Sequence, residues 1–212
     1  MMAMQMKIKC VKAYTAIPNQ LARFPSLNFL DVLDKELVLD SYKVLVIGGG
    51  SVDISNINTK NNPDENIEEM REKAITSAKQ LFCLAESALE NFPSLQKVIL
   101  MKRTPRYDRE EDDPLGLKPQ LSSLADSITF GCWCESKYRS KIVIGGHNIP
   151  HGDSQHNSVF GVPGDSCYDG IHMNGPSGKA FLTESILSVL VKANLAEQFK
   201  PAVFVNRNPY RE

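Results

Sequence analysis

"KVLVIGGGSVDISN", residues 43–56, decides the fold. Val44 to Ile47 form an unbroken apolar run, with none of the alternation of a strand that shows one face to water. A short continuous run of this kind is a strand buried on both sides, the pattern of a parallel sheet sandwiched between helices. Three glycines, Gly48 to Gly50, then stop it. Two further runs repeat the pattern, "KVILM" (97–101) and "KIVIGG" (141–146), the second again ending in glycines. Helical patterns separate them. "NPDE" (62–65) offers Asn62 as N-cap, Pro63 at the first helical position and Glu65 at the capping-box position. From there Ile67, Met70, Ala74, Ala78, Leu81, Ala85 and Ala88 keep one face apolar to about residue 90. A weaker helical pattern covers 117–135, and a final helix runs from about 176 to 193.

Outside this series, "KIKCV" (7–11) reads as a strand, "LNFLDVLDKELV" (27–38) as a helix and "AVFV" (202–205) as a short terminal strand. Strands alternating with helices predict a single α/β domain over residues 1–212, three-layer αβα with a parallel sheet. In such folds ligands bind beyond the carboxyl ends of the strands. Those ends carry Gly48 to Asp53, the Arg103–Tyr107 loop, and His147 onward.

Composition narrows the classes. The net charge of −1 gives no global electrostatic footprint for nucleic acid. No apolar run approaches the roughly 20 residues of a membrane-spanning helix. The opening "MMAMQMKIKC" has no apolar core of signal-peptide length, so the expectation is a cytoplasmic protein. The five cysteines (10, 83, 132, 134 and 167) are odd in number and scattered. That usage fits a reducing compartment better than a disulfide framework.

The chemistry concentrates in "DGIHMNGPSGKAFLTESIL", residues 169–187. A histidine just ahead of a helix, with a carboxylate three residues upstream, suits a general base oriented by that carboxylate. A loop histidine near a turn-forming Asp is the plainer alternative. With its small-residue turn leading into the last helix, the stretch resembles the Asp-x-x-His block that closes SGNH/GDSL-type hydrolases. "VLVIGGGSVDISN" resembles the same family's third block, a Gly-x-Asn-Asp after a buried strand. The likeness extends over about residues 7–193. "AYTAI", "GGSVDI", "RTPRYD" and "DGIHMNGPSG" are also similar to the esterase-like domains of some retroelement-encoded proteins.

The resemblance implies a flavodoxin-like sheet and hydrolysis of a small carboxylic ester, without a cofactor. His172 would be the base, Asp169 its orienting partner, and Gly50 would stand near the oxyanion through its backbone. Two departures accompany it. Val52 occupies the place of the oxyanion asparagine, and a valine side chain donates no hydrogen bond. The family's Gly-Asp-Ser nucleophile block has no counterpart ahead of residues 7–11; Gly164-Asp165-Ser166 has the right letters but follows no strand. Ser51, directly after a buried strand, is the substitute nucleophile, although Asp53 stands where the G-x-S-x-G elbow has its last glycine. A sheet without its usual first strand would pair residues 7–11 directly with 43–48, or leave them detached, in a domain less stable than an intact relative.

Other readings compete. Lys102, Arg103 and Arg106 in "KRTPRYDREEDD" would hold an anionic substrate or an RNA phosphate, or else form a solvated loop neutralised by the acids that follow. His147, His151 and His156, with Cys132, Cys134 and Cys167, invite a zinc reading, but the histidine spacings sit on no defined element and "CWC" belongs to a helix-to-loop segment, so no metal is expected. "GGGSVD" lacks the lysine of a phosphate-binding loop. A non-catalytic module holding RNA or a protein partner on the same rim is the alternative to an enzyme. Oligomeric state is not legible in the sequence.

Overall fold

The computed structural model describes residues 43–55, 57, 63–104, 113–146, 153–162, 168, 173 and 175–192. The expected strands at 7–11 and 202–205, the helix at 27–38 and the consequence of a missing first strand lie outside these residues. The described elements run β1 (Val44–Gly48), α1 (Ser51–Ser55), α2 (Pro63–Asn91), β2 (Lys97–Met101), α3 (Leu117–Glu135), β3 (Ile142–Gly145), α4 (Asp153–Phe160) and α5 (Gly178–Lys192). The strands form one parallel sheet in the order β1-β2-β3, with Ile47 opposite Leu100 and Leu100 opposite Ile144. The three apolar runs are therefore the three strands, and the chain has an α/β fold.

β2 is the central strand of the described sheet, and its burial explains the continuous apolar run. Val98 and Leu100 pack on one face, against Leu81, Phe82, Leu84 and Ala85 of α2, with Trp133 of α3 alongside. Ile99 and Met101 point the opposite way, against Val189 and Leu190 of α5. Neighbouring residues of a strand face opposite sides, so apolar neighbours on both faces require apolar residues at every position from Val98 to Met101. Val98, Ile99 and Leu100 are at most 1% exposed, and each such side chain contributes roughly 1.5–3 kcal/mol of burial free energy.

The helices follow from local chemistry. α2 begins at Pro63, whose missing N–H is no loss in a first turn. Its stripe of small residues, Ala74, Ala78, Ala85 and Ala88, is fully buried and lets the helix backbone come close to its neighbours. α3 is held at its start by Asp113, whose carboxylate accepts from the backbone N–H groups of Leu117 (3.1 Å) and Lys118 (2.9 Å). Near its end, the Trp133 indole donates to the Ile142 carbonyl at 2.8 Å and ties α3 to β3. Ile54 and Ile57 join Met70, Ala74, Leu121 and Ala125 in a second cluster that binds α1 to both long helices. No helix among the described residues is long and apolar enough to cross a membrane.

Gly145 ends β3 where α5 crosses it. A Cβ built there would overlap the side chain of Val189, so the glycine sets the distance between helix and sheet. Gly145→Ala is expected to lower stability by about 1–3 kcal/mol, the usual range for overpacking. Urea denaturation checks this, and adding Val189→Ala should recover part of the loss because the two sites share one contact.

Candidate functional site

The carboxyl ends of β1, β2 and β3 lie side by side, since the strands are parallel and in register. After β1 the chain turns through Gly49 and Gly50, and Gly50 has φ +85°. That conformation is strained for any residue with a Cβ. The Gly50 carbonyl then accepts from the Ile54 N–H at 3.4 Å, the first bond of α1. Ser51 opens α1 and is half-buried, as is Asp53. Strand, turn and short helix thus carry Ser51 to the rim. The positive φ belongs to the preceding glycine and not to the serine itself.

β2 ends at Met101, and Lys102 continues its direction by donating its backbone N–H to the Gly145 carbonyl at 2.6 Å. Lys102 is exposed, whereas Arg103 turns inward. The Arg103 side chain is 1% exposed and its Nη1 donates to Asp126 Oδ1 of α3 at 2.9 Å. The Arg103 backbone N–H approaches the same oxygen at 3.4 Å. One carboxylate oxygen therefore holds both the strand end and its side chain. Asp126 keeps 26% of its side chain exposed, so the pair is dry on the arginine side and partly wet on the aspartate side.

Two more guanidinium nitrogens, Nε and Nη2, are buried with no hydrogen-bond partner among the described residues. A Cβ placed on Gly50 would stand 2.8 Å from each of them and 3.1 Å from Cζ. Being farther from Cζ than from either nitrogen, that position lies beyond the Nε–Nη2 edge. The edge is therefore aimed at Gly50. An unsatisfied buried donor carries a desolvation penalty of about 1–3 kcal/mol, more when it is charged.

Of the residues expected at the site, the structure brings Gly50 and Arg103 together, with Ser51 the next residue after Gly50. Val52 lies in α1, but its side chain is outside the described residues, as are Asp169, His172 and Arg106. The described residues that flank Asp169 and His172 in sequence are packed. Tyr168 is buried and Met173 half-buried in one cluster with Val159, Phe160 and Phe181. Beyond them, Gly175 N–H donates to Val159 O at 2.9 Å and Ser177 N–H to Ser158 O at 2.8 Å, clamping the start of α5 to α4.

The solvated-loop reading fails at both described ends of "KRTPRYDREEDD". Arg103 is buried and ion-paired, and Asp113 is a buried helix cap. Sequence reasoning missed Asp126 as the arginine's partner. Its signal was a carboxylate beside the buried Leu121, Ser122, Ala125 and Thr129 stripe of α3, a position that calls for a cation. Cys132 is half-buried, and burial raises its thiol pKa, which disfavours the thiolate that metal binding uses. Among the described residues no cluster of His, Cys, Asp or Glu could hold a metal ion. Neither a protein-family model, a curated protein nor a solved structure matches the chain.

Asp126→Asn leaves the guanidinium buried without its counter-charge. Breaking a buried pair typically removes 3–5 kcal/mol, and the partial exposure of Asp126 brings the expected loss to about 2–4 kcal/mol. The apolar pair Arg103→Met with Asp126→Leu should cost less than Asp126→Asn alone, because it removes both charges together. Denaturant midpoints of the two variants check the order.

Proposed function

We propose that the chain is an SGNH-hydrolase-like domain, a three-layer αβα fold whose chemistry is the hydrolysis of a small carboxylic ester. The observation that carries this reading is the strand–turn–helix from Val44 to Ser55, which delivers Ser51 to the carboxyl rim beside Gly50. The strand order supports it. In a flavodoxin-like 2-1-3-4-5 sheet, the last three strands are neighbours in sequential order, as β1, β2 and β3 are. Right-handed crossovers running one way along a sheet put their helices on the same face. α2 and α3 share one face here, while α5 packs on the other.

In this mechanism the Ser51 Oγ attacks the ester carbonyl carbon while His172 takes its proton. The C–O bond to the alcohol then breaks, His172 returns the proton to the departing alkoxide, and water releases the acyl group by the reverse sequence. Asp169 fixes the imidazole tautomer. The backbone at Gly50 faces the developing oxyanion. Val52 in place of an asparagine removes one donor, a change that typically lowers rate ~10²–10³-fold. Slow turnover is therefore part of the reading.

Val52 also favours a second reading, in which the rim serves as a non-catalytic module for RNA or a protein partner. Hydrolysis of a short-chain aryl ester separates the two. The hydrolase reading expects weak activity that falls to background in both His172→Ala and Ser51→Ala. Activity indifferent to His172→Ala, or no activity in the wild type, would sink it.

A further inference from the structure

Arg103 uses only part of its fork. Nη1 is committed to Asp126, while Nε and Nη2, the edge whose spacing matches two oxygens of one oxyanion, meet no acceptor among the described residues. Buried native donors rarely stay unpaired, and an exception calls for a physical reason. The direction of the edge supplies a second observation. It faces the position that a side chain at residue 50 would fill, 2.8 Å from both nitrogens, and residue 50 is a glycine with φ +85°. The place is the carboxyl end of two adjacent parallel strands, where α/β sheets receive ligands.

We propose that the Nε–Nη2 edge of Arg103 is the seat of a ligand oxyanion, a carboxylate or a phosphate, gripped by two parallel hydrogen bonds. Because Arg103 is almost wholly buried, the ligand reaches the edge when the Gly49–Gly50 turn moves off it. Two glycines with no side chains to repack make that movement cheap. The Asp126 pair keeps the guanidinium plane oriented and offsets the charge of Arg103 itself, so that the fork's shape does much of the selecting. None of this requires that Ser51 or His172 turn over an ester.

The test uses the whole chain labelled with ¹⁵N-arginine, titrated with inorganic phosphate, with sodium acetate and with sodium chloride at matched ionic strength. The Arg103 Nε–H signal is identified by its contact with the Gly50 α-protons. A saturable shift of that signal with phosphate, absent with chloride, is the expected result; a matching response to acetate extends the seat to carboxylates. Arg103→Lys keeps the charge and removes the fork, and should weaken phosphate binding about tenfold or more. An Arg103 signal that stays put through the phosphate titration, or Arg103→Lys binding phosphate as tightly as the wild type, overturns the proposal. The wild-type titration decides alone if the variant does not fold. Phosphate binding without ester hydrolysis would reject the hydrolase reading and leave this inference standing.

Discussion

β2 has no face to give to water. Val98 and Leu100 lie under α2 and α3, Ile99 and Met101 under α5, and the strand is bonded on both edges to β1 and β3. That double burial is the constraint from which the rest follows. It requires apolar residues at every position from Val98 to Met101. It also forces the polar work of the chain out to the strand ends, where the backbone leaves the sheet. α2 and α3 meet on one face through alanines, which bring their backbones close, and the small residue Gly145 does the same for α5 on the other face.

At the carboxyl end the same constraint produces an arginine that cannot reach bulk water. Arg103 follows β2 by two residues, so its side chain is delivered into the junction between the sheet and α3. Asp126 meets it there, and Gly50 gives way to it. A larger residue at position 50 would occupy the space in front of the fork and would also be strained at that φ. The turn that presents Ser51 and the buried ion pair are consequently one structural unit. A change at Asp126 should be felt at Ser51, although the two belong to different elements.

The three described strands and three long helices were legible because each obeys a single period. Continuous apolar runs gave 43–50, 97–101 and 141–146, within one or two residues of the observed ends, and the 3.6-residue stripe from Ile67 to Ala88 gave α2. α1 and α4 were not legible. α1 has five residues, too few to show a period, and α4 lies in a polar stretch whose apolar residues, Val159 and Phe160, come only at its end. The strand ends fall where the apolar runs stop, but the electrostatics beyond them did not follow from the sequence. A charged loop in sequence gives no sign that one arginine turns inward or that one acid of "EEDD" caps a helix. Those outcomes depend on Asp126 and on the start of α3, which lie elsewhere in the chain. Asp169 and His172, which carry the family resemblance, lie outside the described residues, so the hydrolase reading rests on the β1–α1 turn and the strand order.

Native-state hydrogen exchange tests most directly whether β2 is the element on which everything else is built. The amides of Val98, bonded to Lys141 O, and of Lys102, bonded to Gly145 O, should exchange only through global unfolding. Their protection should equal the stability measured by denaturant and exceed that of α4. Exchange of these amides through a cheaper local opening, with α2 and α3 still protected, would contradict the account.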